Sequence, residues 1–258
     1  MNPLLPWVGH LFQAAAVVYV LAALAGLARA KGPAVGLLAL GLAANLASIG
    51  LKLYLSWPMQ APFQEPFWLP AALAVLTLGL WRRGHASLLA PLCALIAVLA
   101  GWAAIWPKDF YLPFPRSNTI VAHIFLPLSA AGKACFYAAG LAAMPHLAGR
   151  RAAPAEIENG RTLFGRLIVW GFVLFTLSLF LAEAWSYLGW ASPVIWNNAT
   201  MTSTMAVWFY YGCFLHLHLL RMWPLGRRAW LALAGLPLLI VFTFLPETGG
   251  LRLAGWAS

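Results

Sequence analysis

The chain has 258 residues, of which 63% are hydrophobic and only 9% are charged. A soluble domain carries about a quarter charged residues, because its surface must be solvated, so this composition indicates a protein surrounded by lipid. The formal net charge is +10, but the basic residues stand in short clusters between apolar runs, and no nucleic-acid-binding motif accompanies them. We therefore expect membrane lipid, and no nucleic acid, as a partner.

Apolar runs of about 20 residues, long enough to cross a bilayer as a helix, follow one another along the chain. About eight spans are predicted, at Pro6–Leu27, Pro33–Leu55, Pro66–Trp81, Ser87–Trp106, Thr119–Leu141, Leu163–Leu188, Met201–Met222 and Ala229–Phe244. The N-terminus lacks the basic start and cleavage site of a signal peptide, so the first run is expected to remain as a helix. The sequence therefore predicts an all-α, polytopic membrane bundle of about eight transmembrane helices, with residues 1–258 forming a single domain.

The loops predict how the bundle is oriented. Most basic residues near the ends of the spans fall on one side: Arg29, Lys31, Arg82, Arg83, Arg150, Arg151, Arg161, Arg166, Arg221, Arg227 and Arg228. Lys108, Arg116 and Arg252 fall on the other side. Because cytoplasmic loops carry an excess of Lys and Arg, the first side is predicted to be cytoplasmic and both termini to lie outside. We expect a multi-pass protein of a bacterial cytoplasmic (inner) membrane.

Ionisable side chains inside a membrane span are costly and are functional candidates. In this chain they are His10, Lys52, His123, Lys133, Glu183, His216 and His218. Lys133 and Glu183 lie deeper than Lys52, and each can be a structural charge partner, a proton-path residue or a contact to a bound polar group. Glu183 is the one carboxylate inside a predicted span, and no nucleophile–base set accompanies it, which does not favour a classical enzyme.

The histidines are candidate haem ligands, because two neutral imidazoles on different helices can hold a b-type haem. From the rise of an α-helix, His10 and His123 are expected at similar depth near the outer surface, with His216 near the depth of Lys133. His216 and His218 are two residues apart and point to nearly opposite faces, so at most one faces a given site. Each histidine can instead be hydrogen-bonded to a neighbouring helix, and both interpretations remain open. No CxxCH motif is present, so any haem is expected to be held non-covalently.

Three stretches carry a resemblance to a known family. They are Asn118–Ile124 (NTIVAHI), the segment 182–198 with Ala-Glu-Ala-Trp at its start and Ile-Trp-Asn-Asn at its end, and the segment 208–228 with its Trp-Pro-Leu-Gly-Arg-Arg turn. Their order and spacing resemble the cytochrome c assembly family of CcsA, CcmC and HemX-type proteins, best over residues 118–258. Members of that family are polytopic membrane proteins that bind haem or move it toward the periplasm.

The resemblance implies roles for two histidines and two tryptophans. His123 matches an axial ligand of an externally presented haem, and His216 matches a transmembrane haem ligand. Trp185 and Trp196 belong to the stretch that resembles the tryptophan-rich WWD segment of the family. That segment is degenerate in this chain, because Asn197-Asn198 stand where the family has Trp-Asp.

A further departure concerns the second outer histidine, which the family has after its last helix. Arg252 stands at about that place, so His10 becomes the candidate partner of His123. The Arg252 guanidinium can pair with a haem propionate or with a carboxylate of a partner protein.

Two functions follow as hypotheses. The first is a CcsA/HemX-like factor that binds haem b non-covalently and passes it to the periplasmic side, as a subunit of a complex with a cytochrome c-assembly partner. The second is a haem b-binding or haem-free subunit of a respiratory electron-transfer complex, with a redox partner and quinone. A small-solute transporter is a minor alternative, because no paired inverted halves with matching broken helices are evident. We favour the first.

Overall fold

The computed structural model describes residues 4–56, 65–106, 120–147, 157–158, 161–194, 198–219 and 223–244. In these ranges the chain forms eight α-helices: α1 (Leu5–Leu27), α2 (Lys31–Ser56), α3 (Glu65–Arg82), α4 (Leu89–Ile105), α5 (Ile120–Leu147), α6 (Leu163–Trp190), α7 (Ala199–Leu219) and α8 (Leu225–Phe244). A short antiparallel hairpin between α5 and α6 pairs β1 (Ile157–Glu158) with β2 (Arg161–Thr162). The predicted all-α class is confirmed.

Six of the described helices, namely α1, α2, α4, α5, α6 and α8, are long and apolar enough to cross a membrane. α3 is less apolar because its 18 residues include Glu65 at one end and Arg82 at the other. α7 opens with a polar run of threonines and a serine at positions 200–204. The chain is thus a multi-pass membrane protein, whereas the number of eight spans and the side of the termini stay predictions.

Helix α5 lies at the centre of the second half of the bundle, where it packs against α3, α6 and α8. Its crossing with α6 is close because two glycines meet there. A Cβ on Gly132 would lie 2.9 Å from the carbonyl oxygen of Gly171, and a Cβ on Gly171 would lie 2.9 Å from that of Gly132. Small residues at a crossing let the backbones of membrane helices approach, which supplies van der Waals packing where lipid removes the hydrophobic driving force.

The first half of the bundle is built around α1, which packs against α2 and α4. Gly41 on α2 leaves room for the buried ring of Tyr19 on α1, whose Cδ1 would lie 2.7 Å from an added Cβ. α3 contacts α2 and α4 as well as α5, so it joins the two halves. The start of α3 thereby reaches the helices that carry most of the predicted site residues.

The start of α3, the start of α5, the end of α6 and the start of α7 meet at one end of the bundle. α6 ends at Ala191, whose φ of 55° turns the chain in the left-handed conformation. After this turn Asn198 caps α7, because its Oδ1 accepts hydrogen bonds from the backbone N–H groups of Thr200 at 2.9 Å and Met201 at 3.3 Å. The turn and the cap together position the first residues of α7 against the end of α6.

Candidate functional site

A buried ion pair joins α5 to α3. Lys133 Nζ lies 2.5 Å from Glu65 Oε2, and the two side chains are only 3% and 9% exposed. The other carboxylate oxygen, Oε1, accepts a hydrogen bond from Ser129 Oγ at 2.8 Å. Ser129 lies one helical turn before Lys133 on the same face of α5, so one stretch of α5 satisfies both oxygens of Glu65. The ammonium also lies 5.7 Å from the centroid of the Phe175 ring.

The ion pair bears on a question that the sequence left open. Lys133 has the contact expected of a structural charge partner, which is the first of the three roles considered for it. The structure adds a buried carboxylate to the half-buried one of Glu183, because α3 begins at Glu65 and buries that side chain. Removing one member of such a pair leaves an uncompensated buried charge, which typically costs about 3–5 kcal/mol.

A cavity of about 100 Å³ lies beside the ion pair and is partly open to the outside. It is bounded by the start of α3, the first half of α5, the second half of α6, the turn after α6 and the start of α7. Most of its surface is apolar. Its lining residues are Glu65, Phe125, Leu126, Ser129, Ser178, Leu179, Ala182, Glu183, Trp185, Pro193, Val194, Asn198, Thr200, Met201, Thr204 and Met205.

Two hydroxyl groups of the lining already donate hydrogen bonds within the protein. Ser129 Oγ donates to Glu65, and Thr204 Oγ1 donates to the carbonyl of Thr200 at 2.7 Å. Glu183 is half-buried and, among the residues that the structure describes, it has no ion-pair partner. The lining also contains donors, in the hydroxyls of Ser178 and Thr200 and the side-chain amide of Asn198, as well as acceptors, of which the Glu183 carboxylate is the strongest.

Trp185 forms the aromatic wall of the cavity together with Phe125. Trp185 is 5% exposed, and the centroids of the two rings lie 5.8 Å apart at 47°. With Leu126 they make a small apolar cluster that is separate from the main core. The structure thus brings two predicted site residues, Glu183 and Trp185, to one cavity and places Lys133 behind its wall.

The three candidate ligand histidines lie on three different helices. His10 is exposed on α1, with its ring centroid 6.1 Å from that of Trp7, and His216 is exposed on α7. His123 is half-buried near the start of α5 and interacts with its surroundings. α1, which carries His10, packs mainly on α2 and α4. α5, which carries His123, packs on α3, α6 and α8, and α7, which carries His216, packs on α6 and α8. Among the described lining residues of the cavity there is no histidine.

Three predicted site residues cannot be placed in this geometry. Trp196 and Arg252 lie outside the described residues, as does the side chain of His218. The degenerate part of the WWD-like segment at Asn197 lies there as well. Their roles remain as the resemblance implies them.

Sequence reasoning missed Glu65, Ser129 and the pair Met201 and Met205 on the first turns of α7. Glu65 directly precedes a predicted span, and a lysine inside another span needs a carboxylate partner, so that signal was available. The two methionines are four residues apart and face the cavity, but thioethers at this spacing are common packing residues and give no signal by themselves.

Fold and site together define a multi-pass membrane protein with a buried ion pair and a cavity at one end of its bundle. No protein-family model matches the chain. It is similar to the cytochrome c biogenesis protein CcsA of Synechococcus sp., with 32% identity over 109 residues, which are 42% of this chain and 35% of that protein. It is also similar to the CcsA protein of Prochlorococcus marinus, with 32% identity over 91 residues, 34% of this chain and 29% of the relative. The chain thus covers about a third of either relative's length, and the similarity supports the predicted family resemblance in part.

Proposed function

We propose that this chain is a haem-handling membrane protein of the CcsA type, which binds haem b non-covalently and passes it to the periplasmic side for cytochrome c maturation. The partial similarity to two cytochrome c biogenesis proteins carries the proposal. The six long apolar helices support it, since a factor of this kind works within the membrane.

Haem does not fit the cavity beside the ion pair. An apolar cavity of about 150 Å³ holds a benzene ring, so a cavity of about 100 Å³ holds no porphyrin. The haem propionates are negatively charged, and the Glu183 carboxylate in the lining would repel them. We therefore expect any haem of this protein to bind at the surface of the bundle rather than in this interior space.

The surface carries the candidate haem ligands. The imidazoles of His10 and His216 are exposed, so a flat macrocycle can approach them from the lipid or from a partner subunit. His123 completes the candidate set, with Trp196 and Arg252 as further contacts from the resembling segments. A bound haem would supply a one-electron redox centre, while the role of this chain is to hold and orient it. Because these histidines lie on helices that are not principal packing partners, we expect a partner subunit to contribute to the site.

The test is an absorption spectrum of the detergent-purified protein, oxidised and dithionite-reduced, with the haem extracted and quantified. His216→Ala and His123→Ala are each expected to lower haem content to less than half. His146→Ala is the matched control, because His146 packs edge-on against Phe164 with centroids 5.4 Å apart and belongs to no resembling ligand position. Full haem content in both single variants contradicts the ligand assignment.

A second candidate is a subunit of a respiratory complex that carries haem b, or no haem, and interacts with quinone. The single-ring size of the cavity and the Glu183 carboxylate in its lining favour it. The same spectra separate the two candidates. A stoichiometric, sharply reducible b-type signal supports a resident redox cofactor, whereas a substoichiometric signal that rises with cellular haem supply supports haem transit.

A further inference from the structure

We propose that the cavity between α5, α6 and α7 binds the ring of a lipid-soluble hydroquinone, with a ring hydroxyl donating a hydrogen bond to the Glu183 carboxylate. The inference deepens the second candidate function and does not depend on haem binding.

The size of the cavity limits its occupant to a single ring. Its volume of about 100 Å³ is somewhat below that of engineered apolar cavities that hold benzene, and its partly open mouth leaves room for ring substituents and a tail. The walls are apolar, with Leu126, Leu179 and Ala182 from two helices and the Trp185 ring beside them. A flat, apolar ring suits this space, because aromatic side chains favour offset or edge-on contact with another ring.

The Glu183 carboxylate favours a ligand that donates a hydrogen bond to it. Lys133 compensates the charge of Glu65, and the Ser129 hydroxyl already donates its hydrogen bond to that carboxylate. Glu183 is left as an acceptor with no described ion-pair partner. A hydrogen bond from a neutral donor to a carboxylate is among the stronger ones in proteins, whereas an anionic ligand would be repelled.

A neutral hydroxyl is favoured over an ammonium as the donor. An ammonium must lose most of its hydration to enter a space with mainly apolar walls, and that loss costs far more than the desolvation of a hydroxyl. The surrounding protein is a bundle of apolar membrane helices, so a lipid-soluble ligand is concentrated around it. Ring, hydroxyl donor and lipid solubility together describe a hydroquinone.

The proposal is tested by equilibrium dialysis of the full chain, purified in detergent, with methylhydroquinone under reducing, oxygen-free conditions. The comparison ligand is its dimethyl ether, which keeps the ring and loses both donors. We expect the ether to bind at least about tenfold more weakly, because a hydrogen bond to a charged group contributes about one order of magnitude or more in affinity. Equal binding of the two compounds overturns the proposal.

Two variants and one control make the assignment specific to this cavity. Glu183→Gln is expected to weaken methylhydroquinone binding about tenfold, and Ala182→Phe, which fills the cavity but keeps Glu183, is expected to abolish it. Glu158→Gln on β1, between α5 and α6, should leave binding unchanged. Unchanged affinity in Ala182→Phe, or tighter binding of benzylamine than of methylhydroquinone, overturns the proposal. Haem content measured on the same samples reports separately on the CcsA-type function.

Discussion

The two halves of the bundle use similarly apolar helices but bury different chemistry. Around α1, α2 and α4 the core is made of alanines, leucines and aromatic rings, and its polar groups are bonded nearby, as where Ser48 Oγ donates to the carbonyl of Val8 at 2.7 Å. Around α5 the interior holds an ammonium, a carboxylate from α3 and a cavity. The first half is mostly a packed core, whereas the second half buries the ion pair and borders the cavity.

The difference shows what α3 contributes. It is less apolar than its neighbours because it starts with Glu65 and ends with Arg82, yet it contacts both halves. A carboxylate at its first position is buried only because Lys133 and Ser129 of α5 satisfy it. The buried ion pair in the second half of the bundle thus depends on α3, which comes from the first half of the sequence.

The largest expected effect comes from breaking the ion pair. Lys133→Met leaves Glu65 buried without a counter-charge and is expected to lower the free energy of unfolding by about 3–5 kcal/mol. Denaturant or thermal unfolding of the purified protein in detergent measures the change. Lys52→Met is the control from the first half, since Lys52 is only half-buried, with its Nζ 4.9 Å from the centroid of the Phe67 ring.

A double replacement sharpens the same test. Glu65→Leu combined with Lys133→Met removes both charges, and we expect it to recover most of the stability that the single change loses, because no buried charge is left unpaired. A single Lys133→Met variant as stable as Lys52→Met would show that Glu65 is not enclosed as described.

An intermediate effect is expected at the helix crossings. Gly132→Ala on α5 places a methyl 2.9 Å from backbone atoms of α6, which cannot move aside, and should cost about 1–3 kcal/mol. Gly41→Ala in the first half meets the fully buried Tyr19 ring at 2.7 Å and should cost a comparable amount, because a packed ring has little room to shift. Gly101→Ala meets nothing within 4 Å and should be neutral or slightly stabilising through helix propensity. Unfolding midpoints rank the three variants, and an equal loss at all of them contradicts the close crossing.

The smallest expected effect concerns the cap of α7. Asn198→Ala removes the acceptor for two backbone N–H groups and should lower stability by about 1 kcal/mol. Thr202→Ala, at an exposed position whose hydroxyl donates within its own helix, is the matched control and should change little. Helicity and unfolding midpoint by circular dichroism provide the measurement, and equal values for the two variants would show that Asn198 is not the cap.

Most of the helices could be predicted from the sequence, because a run of about 20 apolar residues has few alternatives in a membrane. Their ends were harder to place. α5 continues to Leu147, six residues past the predicted end at Leu141, and α8 starts at Leu225 rather than at Ala229. Turn residues and charges mark the ends of helices in water, but a membrane helix can extend beyond the bilayer without a change in its pattern.

Among the candidate site residues, the sequence by itself determined that Lys133 and Glu183 are costly inside a membrane and that Trp185 belongs to a distinctive stretch. Only the tertiary structure decided that Lys133 meets Glu65, 68 residues away, while Glu183 and Trp185 line a cavity and His10 and His216 face outward. The physical reason is that these helices are apolar on nearly all faces. Periodicity, which shows the buried face of a helix in water, therefore says little about which face meets a neighbour in lipid.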